Sequence, residues 1–342
     1  MLTFKKSKRY INIVLDDYVL RIIENSGQDI SSIRLVKEFM LPAGMIEHGK
    51  IKDELAFYDF MKNIVKELKI KNRPVRFYVP NALVIMRQVD LPAHLEGDAI
   101  KEHMMLEIGA SLHLPFDNPV FDVHILPRED EALATNTNNS QETKQGILFA
   151  VPEAELLKYT EIFVDVSLKP MVADVEALGI YRYFYYMSDS FNEDAVYLIF
   201  KLNLTSTNIS IFHRHQVEFL RFQHLDIDPT AWTMEETEDK KQHWVYQGDE
   251  AKLIGSIEDQ IRELSRLMNF YRYSMNQGEK QVSHIVLTGD YPQIKEVMEN
   301  MQTVYDLPIT LLSGYLSKEK TDKLGTAYVP TLGLALKGAG AS

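Results

Sequence analysis

Residues 12–24 read NIVLDDYVLRIIE and decide the fold of the first part of this chain. Apolar residues dominate on both sides of Asp16 and Asp17, which predicts two strands joined by a two-residue turn. The turn is acidic, and Asp cannot bring the backbone as close to a phosphate as Gly can. Two like unit charges about 5 Å apart cost roughly 3 kcal/mol at an effective dielectric constant near 20. We therefore expect this turn to repel a polyphosphate.

The same order of elements returns later in the chain. Residues 196–200, 208–212 and 217–222 are predicted to be consecutive strands, and a helical period follows over 254–275. Strand, turn, strand and helix thus occur twice, once from Tyr10 and once from Val196, although the two halves share no close sequence repeat. This doubling is typical of two related halves around a central cleft.

Composition narrows the class of protein. The chain has 342 residues, long enough for two domains, and a net charge of −12. The acidic balance disfavours nucleic acid as a partner. The absence of cysteine excludes disulfides, thiolate metal sites and a cysteine nucleophile, and it suits a reducing cytoplasm. No apolar run is long enough to span a membrane.

Three groups of segments resemble, in their order and spacing along the chain, the PilM family of type IV pilus assembly proteins in the actin-like ATPase superfamily. The erosion of some motifs suggests a divergent member of Gram-positive type. The segments are VPNALVIMRQVDLP at 79–92 with the helix 100–116, the pattern LKP…DVEALGI at 168–180, and 257–273 with IVLTG at 285–289 and YVPTLGLAL at 328–336.

The resemblance implies an α/β, actin-like fold: a duplicated, ribonuclease H-like pair of halves with an inserted small α+β subdomain. It predicts the following division of the chain: a first half of residues 1–79 and 147–192, an insert of residues 80–146 with a disordered loop at 128–145, and a second half of residues 193–342 with a small subdomain at about 216–277.

The nucleotide site that the resemblance implies is degenerate in its first turn. Aligned with the family's pattern, Val14 stands where an Asp is expected and Asp16 where a Gly is expected, followed by Asp17. An Asp at the first position would organise Mg²⁺ and its waters, and Val14 cannot ligate a hard cation.

The other two nucleotide turns are altered in the same way. In the second half, Lys201 replaces an Asp and Asn203 replaces a Gly. The turn that would hold adenosine keeps Thr288 and Gly289 but has Asp290 where a second glycine is expected. We favour a bridge from Lys201 to the carboxylates of the first turn that closes an empty cleft; pairing of Lys201 with a phosphate is the alternative.

The leading hypothesis for function is a non-catalytic cytoplasmic adaptor of a type IV pilus or competence pseudopilus, at the inner face of the membrane. In the family, the extra subdomain helps to form a groove for the amino-terminal tail of a membrane-anchored PilN-like partner. Met104, Met105 and Ile108 are the candidate groove residues, although such methionines more often belong to a core. We expect other pilus assembly proteins as partners, membrane contact only through the partner, and no catalytic residue, metal or cofactor. The alternative is an actin-like protein regulated by ATP and Mg²⁺.

Overall fold

The computed structural model describes residues 8–127, 143–236 and 242–338. The chain divides into two compact units. The smaller unit is Leu83–Ile162, and the larger unit contains the chain up to Ala82 and from Phe163 onward. Both halves of the predicted duplication lie in the larger unit, except for residues 147–162 of the first half.

The amino-terminal part of the larger unit is built on the hairpin predicted from residues 12–24. Its two strands pair antiparallel, and Asp16 lies opposite Val19 at the turn. The apolar residues of both strands are buried, which explains why this stretch reads as nearly continuous hydrophobic sequence. The elements are β1 (Arg9–Asp16), β2 (Val19–Ser26), β3 (Leu35–Met40), β4 (Ile46–Glu47), β5 (Lys50–Ile51), α1 (Glu54–Glu67) and β6 (Pro74–Tyr78).

The smaller unit contains a three-stranded antiparallel sheet in the order β7-β9-β8. A core cluster that includes Leu91, Ile100, Met104 and Leu148 joins the sheet to a short helix. The elements that begin in this unit are β7 (Ile85–Pro92), α2 (Asp98–Glu107), β8 (Pro119–Ile125), β9 (Thr143–Pro152) and α3 (Glu153–Asp165).

The remaining elements complete the first half and form the second. The second half has its own large core, in which Phe200, Leu264 and Leu287 are fully buried. The elements are β10 (Lys169–Asp174), α4 (Glu176–Met187), β11 (Tyr197–Leu202), β12 (Ser206–His213), β13 (Gln216–His224), β14 (Trp232–Glu236), β15 (Gln242–Tyr246), α5 (Glu250–Asn269), a π-helical turn (Phe270–Met275), β16 (His284–Thr288), α6 (Ile294–Val304), β17 (Ile309–Leu311), β18 (Gly314–Tyr315), β19 (Lys323–Gly325) and α7 (Val329–Ala335).

The two five-stranded sheets have the same topology. Their orders are β10-β6-β1-β2-β3 and β13-β12-β11-β16-β17. In each sheet three consecutive strands form an antiparallel meander, and two later strands add in parallel beside the first. Helix α7 packs on α4 and on β1 and β2. The predicted fold class, a duplicated α/β fold of actin-like type with an insert, is confirmed.

The boundaries of the insert differ from those expected. Residues 80–146 were expected in the insert and 147–192 in the first half, whereas the compact unit runs from Leu83 to Ile162. The physical reason is the pairing of β9, which hydrogen-bonds with both β7 and β8 along its length. Residues 128–142 of the expected disordered loop lie outside the described residues, and 143–145 begin β9. The expected subdomain at 216–277 begins with β13, which is a strand of the second large sheet.

Candidate functional site

The turns of the two leading hairpins face each other across a cleft within the larger unit. Asn203, in the β11–β12 turn, donates from Nδ2 to Oδ1 of Asp16 over 3.0 Å. The backbone N–H of Leu204 donates to the hydroxyl of Tyr18 over 3.4 Å. The sequence-predicted residues Asp16 and Asn203 therefore meet directly, although they are 187 positions apart.

Lys201 is buried at the centre of this cleft. Its ammonium nitrogen lies 2.7 Å from Oε1 of Glu176 and 3.6 Å from Oδ1 of Asp16. The bridge proposed from the sequence is thus present to Asp16, and its stronger arm goes to Glu176 at the start of α4. Asn81 also donates to Glu176, over 3.0 Å. The positive charge of Lys201 is already shared between two carboxylates, which leaves little of it for a phosphate.

A second buried network joins the halves through Asp290. Arg21 on β2 pairs with Oδ2 of Asp290 at 2.9 Å and with Glu38 at 2.5 Å. The hydroxyl of Tyr18 donates to the same Asp290 carboxylate, at 2.7 and 2.8 Å. Asp290, which takes the place of an expected glycine, therefore holds the second half to the first hairpin.

These networks carry more negative than positive groups, since four carboxylates face two cations. Burial raises the pKa of Asp16 to about 7; Lys201 and Arg21 oppose this shift, while Glu176 and Asp290 add to it. Burial alone would lower the pKa of Lys201, but the neighbouring carboxylates outweigh it and raise that pKa. Lys201 is consequently charged at neutral pH, and Asp16 keeps its proton to a higher pH than an ordinary aspartate does.

Thr288 and Gly289 have structural roles in the cleft wall. The hydroxyl of Thr288 donates to the carbonyl of Leu312 over 3.1 Å. Gly289 has φ +128°, and a Cβ there would lie 1.9 Å from the carbonyl oxygen of Leu202. Val14 does not face the cleft residues; it is buried with Tyr78 and Leu334.

Asp17 turns away from Lys201 and holds the β4–β5 turn. Its Oδ2 accepts the backbone N–H of His48 at 2.7 Å, and its Oδ1 accepts that of Gly49 at 3.0 Å. Nδ1 of His48 lies 2.6 Å from Nε2 of His224 at the end of β13, so this turn also touches the second half. Burial raises the pKa of Asp17. The pKa of His224 is lowered, mainly by burial and to a smaller extent by the neighbouring His48.

A small cavity of about 30 Å³ lies beside these residues and opens to solvent. Asp16, Asp17, Thr205, Phe222 and His224 are among the residues that line it. Carboxylates and neutral groups thus occupy the space between the two hairpin turns. Among the described residues, no group of three His, Cys, Asp or Glu side chains could hold a metal ion.

Several residues of these networks were not singled out from the sequence, among them Glu176, Arg21 and Tyr18. Glu176 lies inside a segment that carries the resemblance. Arg21 has two apolar residues on each side in β2, and a charge in such a place is a signal of a buried ion pair. Tyr18 carried no signal, because a tyrosine beside a turn is ordinary.

The groove candidates on α2 have different environments. Met104 is 2% exposed and belongs to the core of the smaller unit, so it cannot contact a partner in this structure. Ile108 packs partly buried against the same core. Met105 is 70% exposed, and its neighbour Leu106, which was not predicted, is 76% exposed. Among the described residues, no helix combines the length and apolar character needed to cross a membrane.

The chain matches a family model described as "Type IV pilus assembly protein PilM" over residues 18–339. The chain belongs to this PilM family. A solved structure titled "PilM-PilN type IV pilus biogenesis complex" is similar, with a TM-score of 0.72, 16% sequence identity, and coverage of 97% of this chain and 98% of that chain. This likeness shows that the family fold is kept over almost the whole molecule.

Two other solved structures have lower TM-scores. MreB5 of Spiroplasma citri bound to ADP gives 0.45, with 10% identity and coverage of 95% of this chain and 94% of that chain. The ethanolamine utilization protein EutJ from Carboxydothermus hydrogenoformans gives 0.47, with 6% identity and coverage of 96% and 90%. No curated protein sequence matches the chain.

Proposed function

We propose that this PilM-family protein is a non-catalytic cytoplasmic adaptor for assembly of a type IV pilus or competence pseudopilus, and that it works without a bound nucleotide. It binds the amino-terminal tail of a membrane-anchored PilN-like protein and stays at the inner face of the membrane through that partner and other assembly proteins. Support comes from the family and from the similarity to a structure whose title names a PilM-PilN complex.

The observation that carries the nucleotide-free part is the chemistry of the cleft. In an actin-like site, backbone N–H groups and a metal with its carboxylates hold the phosphates; here Asp16 and Asp17 line the cavity between the hairpin turns. Lys201, a cation that would favour a phosphate there, is paired with Glu176 and Asp16. A nucleotide would have to break these pairs and leave carboxylates buried against its own charge.

Calorimetric titration with Mg-ATP tests this part of the proposal. We expect no heat of binding and no rise in melting temperature at millimolar Mg-ATP. Micromolar binding would overturn it and favour the alternative, an actin-like protein whose nucleotide state regulates assembly or polymerisation. The isosteric variant Asp16→Asn serves as a comparison, because any weak binding that is limited by repulsion should increase when this charge is removed.

The partner surface is tested on the smaller unit, where Met105 and Leu106 project from α2 with most of their side chains exposed. The probe is a synthetic peptide with the amino-terminal sequence of the PilN homologue from the same genome. We expect Met105→Glu and Leu106→Glu each to weaken its binding by about tenfold or more, because a charge would replace apolar contact area.

Val304→Glu is the matched control, since Val304 is a similarly exposed apolar residue of helix α6 in the larger unit, at 52%. The variants should keep the wild-type melting temperature, which separates loss of binding from loss of folding. If all three variants bound the peptide with equal affinity, α2 would not be part of the surface that binds the partner.

A further inference from the structure

The first large sheet, β10-β6-β1-β2-β3, has a row of basic residues along one edge. Strands β1, β3, β6 and β10 all run in the same direction, so they begin at this edge. Strand β1 begins at Arg9 and β10 at Lys169, while β3 and β6 begin directly after Arg34 and Arg73. Neighbouring strands lie about 4.8 Å apart, so these four residues, which we call the basic row, span about 19 Å of the edge.

The second large sheet lacks this row, although it has the same topology. Its corresponding strands begin at Ile309, His284, Tyr197 and Gln216. None of these four residues, and none of the residues directly before them, is Lys or Arg. The duplicated fold therefore does not require a cation where these strands begin, and the basic row needs another explanation.

The loop that leads into β6 extends the row with further lysines. Residues 66–73 read KELKIKNR, and the three lysines of this segment are exposed. Among the described residues, none of these lysines has a partner in an ion pair. The backbone N–H of Asn72 donates to the carbonyl of Ser167 over 2.6 Å, which holds this loop beside the loop that leads into β10. The lysines therefore lie at the same edge as the basic row.

Acidic residues near the row neutralise only part of its charge. Glu24 on β2 pairs with Arg9 at 3.8 Å and also with Arg73. Eight Lys or Arg and four Asp or Glu occur in the segments that carry the basic residues, which are 8–9, 24–34, 66–73 and 165–169. This edge is therefore positive in a chain whose net charge is −12. Salt at about 0.1 M screens charges that are more than about 10 Å apart, so negative charge elsewhere on the molecule does not cancel the attraction of this edge for an anion.

Exposed apolar side chains flank the row at Lys169. Val164, near the end of α3, is 58% exposed, and Met171 on β10 is 55% exposed. Met171 lies where the register of β10 against β6 shifts, between Pro170 and Val172. Long basic side chains beside apolar ones suit the surface of a bilayer, where anionic headgroups lie above a hydrocarbon layer. An acidic protein segment would pair with the cations alone.

We propose that the basic row and the lysines of residues 66–73 bind the surface of an anionic phospholipid bilayer, with Val164 and Met171 against its apolar layer. This contact adds a direct attachment to the one expected through the membrane-anchored partner. Its role in the cell rests on the proposed position of the protein at the inner face of the membrane. The contact itself is measured on vesicles without any partner, so the contact and the adaptor role can fail separately.

Sedimentation of the full chain with phospholipid vesicles tests the proposal. We expect binding to phosphatidylcholine vesicles that contain about one-third phosphatidylglycerol, and no binding to pure phosphatidylcholine. An increase in salt from about 0.1 M to about 0.5 M should release the protein, because the attraction is screened. The combined substitutions Lys69→Gln, Lys71→Gln and Lys169→Gln should weaken binding by at least about thirtyfold, since each basic residue near the surface contributes about fivefold.

The matched control combines Lys252→Gln, Arg266→Gln and Lys295→Gln, which remove the same amount of charge from exposed positions in the second half. This control should bind the vesicles as the wild type does. Both triple variants should keep the wild-type melting temperature, because the substituted side chains are exposed. Equal binding of the two triple variants, or equal binding of the wild type to both kinds of vesicle, would overturn the proposal.

Two further measurements separate a bilayer from an acidic protein. Met171→Gln removes an apolar side chain without a change in charge, and we expect it to weaken binding to the anionic vesicles severalfold. An unchanged affinity would contradict the proposed contact with the apolar layer. Soluble polyglutamate at the same concentration of negative charge should leave the protein on the vesicles; if it released the protein, an acidic protein segment would be the occupant and the proposal would be wrong.

Discussion

Lys201 is the residue on which the charge balance of the cleft depends. Its side chain is 4% exposed, and its ammonium group is shared by Glu176 at 2.7 Å and Asp16 at 3.6 Å. Removal of one partner from a buried pair leaves uncompensated charge and commonly costs 3–5 kcal/mol. We therefore expect Lys201→Ala to lower the free energy of unfolding of the larger unit by about 3 kcal/mol in urea denaturation.

The control for Lys201 is Lys252→Ala. Lys252 pairs with Asp226 at 3.4 Å, but both side chains are at least half exposed, so the loss should be below about 0.5 kcal/mol. If Lys201→Ala and Lys252→Ala were equally stable, the pairs of Lys201 in the cleft would not hold the two halves together.

Asp16 gives the cleft a pH dependence whose sign follows from its raised pKa. The pKa of this carboxyl rises from 3.8 to about 7 on folding, first because it is buried. The folded state then holds more protons than the unfolded state between these values, so the contribution of Asp16 to stability is present at pH 4 and is lost as the pH rises through 7. The free energy of unfolding of Asp16→Asn minus that of the wild type should therefore increase between pH 5 and pH 8, by on the order of 2 kcal/mol. Unfolding curves of both proteins at several pH values measure this difference; parallel pH profiles would contradict it.

At the scale of elements, helices α4 and α7 cross at a contact that admits no side chain. A Cβ at Gly333 would lie 2.0 Å from the carbonyl oxygen of Gly179. Because the obstacle is backbone, the helices would have to move apart, and we expect Gly333→Ala to cost about 2 kcal/mol of stability. Gly255→Ala on α5 is the matched control: a Cβ there meets nothing within 4 Å, so it should be neutral or stabilise by up to about 1 kcal/mol. Thermal melts of the two variants test this, and Gly333→Ala should melt at the lower temperature. Equal melting temperatures would show that the helix crossing tolerates a methyl group.

The elements also show what the sequence could and could not predict. Alternation and helical periodicity are local features of a sequence. The repeated order of strand, turn, strand and helix, which starts once at β1 and once at β11, could therefore be predicted. The partner of a strand is not local: β9 reads as an ordinary buried strand, and only its pairing with β7 and β8 places it in the smaller unit. In the cleft, Asp16, Lys201 and Asp290 were singled out from the sequence alone. The role of Glu176 was not visible, because it depends on a contact with Lys201 across the two halves.

At the scale of the whole larger unit, two networks of buried side chains join its two halves. Lys201 links the second sheet to Asp16 and Glu176, and Asp290 links it to Arg21 and Tyr18. A ligand shifts a conformational equilibrium only by its differential affinity for the two states. A cleft that is held closed by internal pairs should therefore respond to loss of those pairs and not to nucleotide.

The absence of cysteine allows a direct measurement of this behaviour, because two introduced cysteines can be spin-labelled without background. Leu55 on α1 and Val304 on α6 are exposed and belong to different halves, so Leu55→Cys with Val304→Cys reports the distance between them by pulsed electron spin resonance. We expect one narrow distance distribution that does not change in about 5 mM Mg-ATP, a concentration above typical KM values. Adding Lys201→Ala should broaden it, whereas adding Lys252→Ala should not. A distribution that narrows or shifts with Mg-ATP would mean that nucleotide, rather than the Lys201 and Asp290 networks, sets the closure of the cleft.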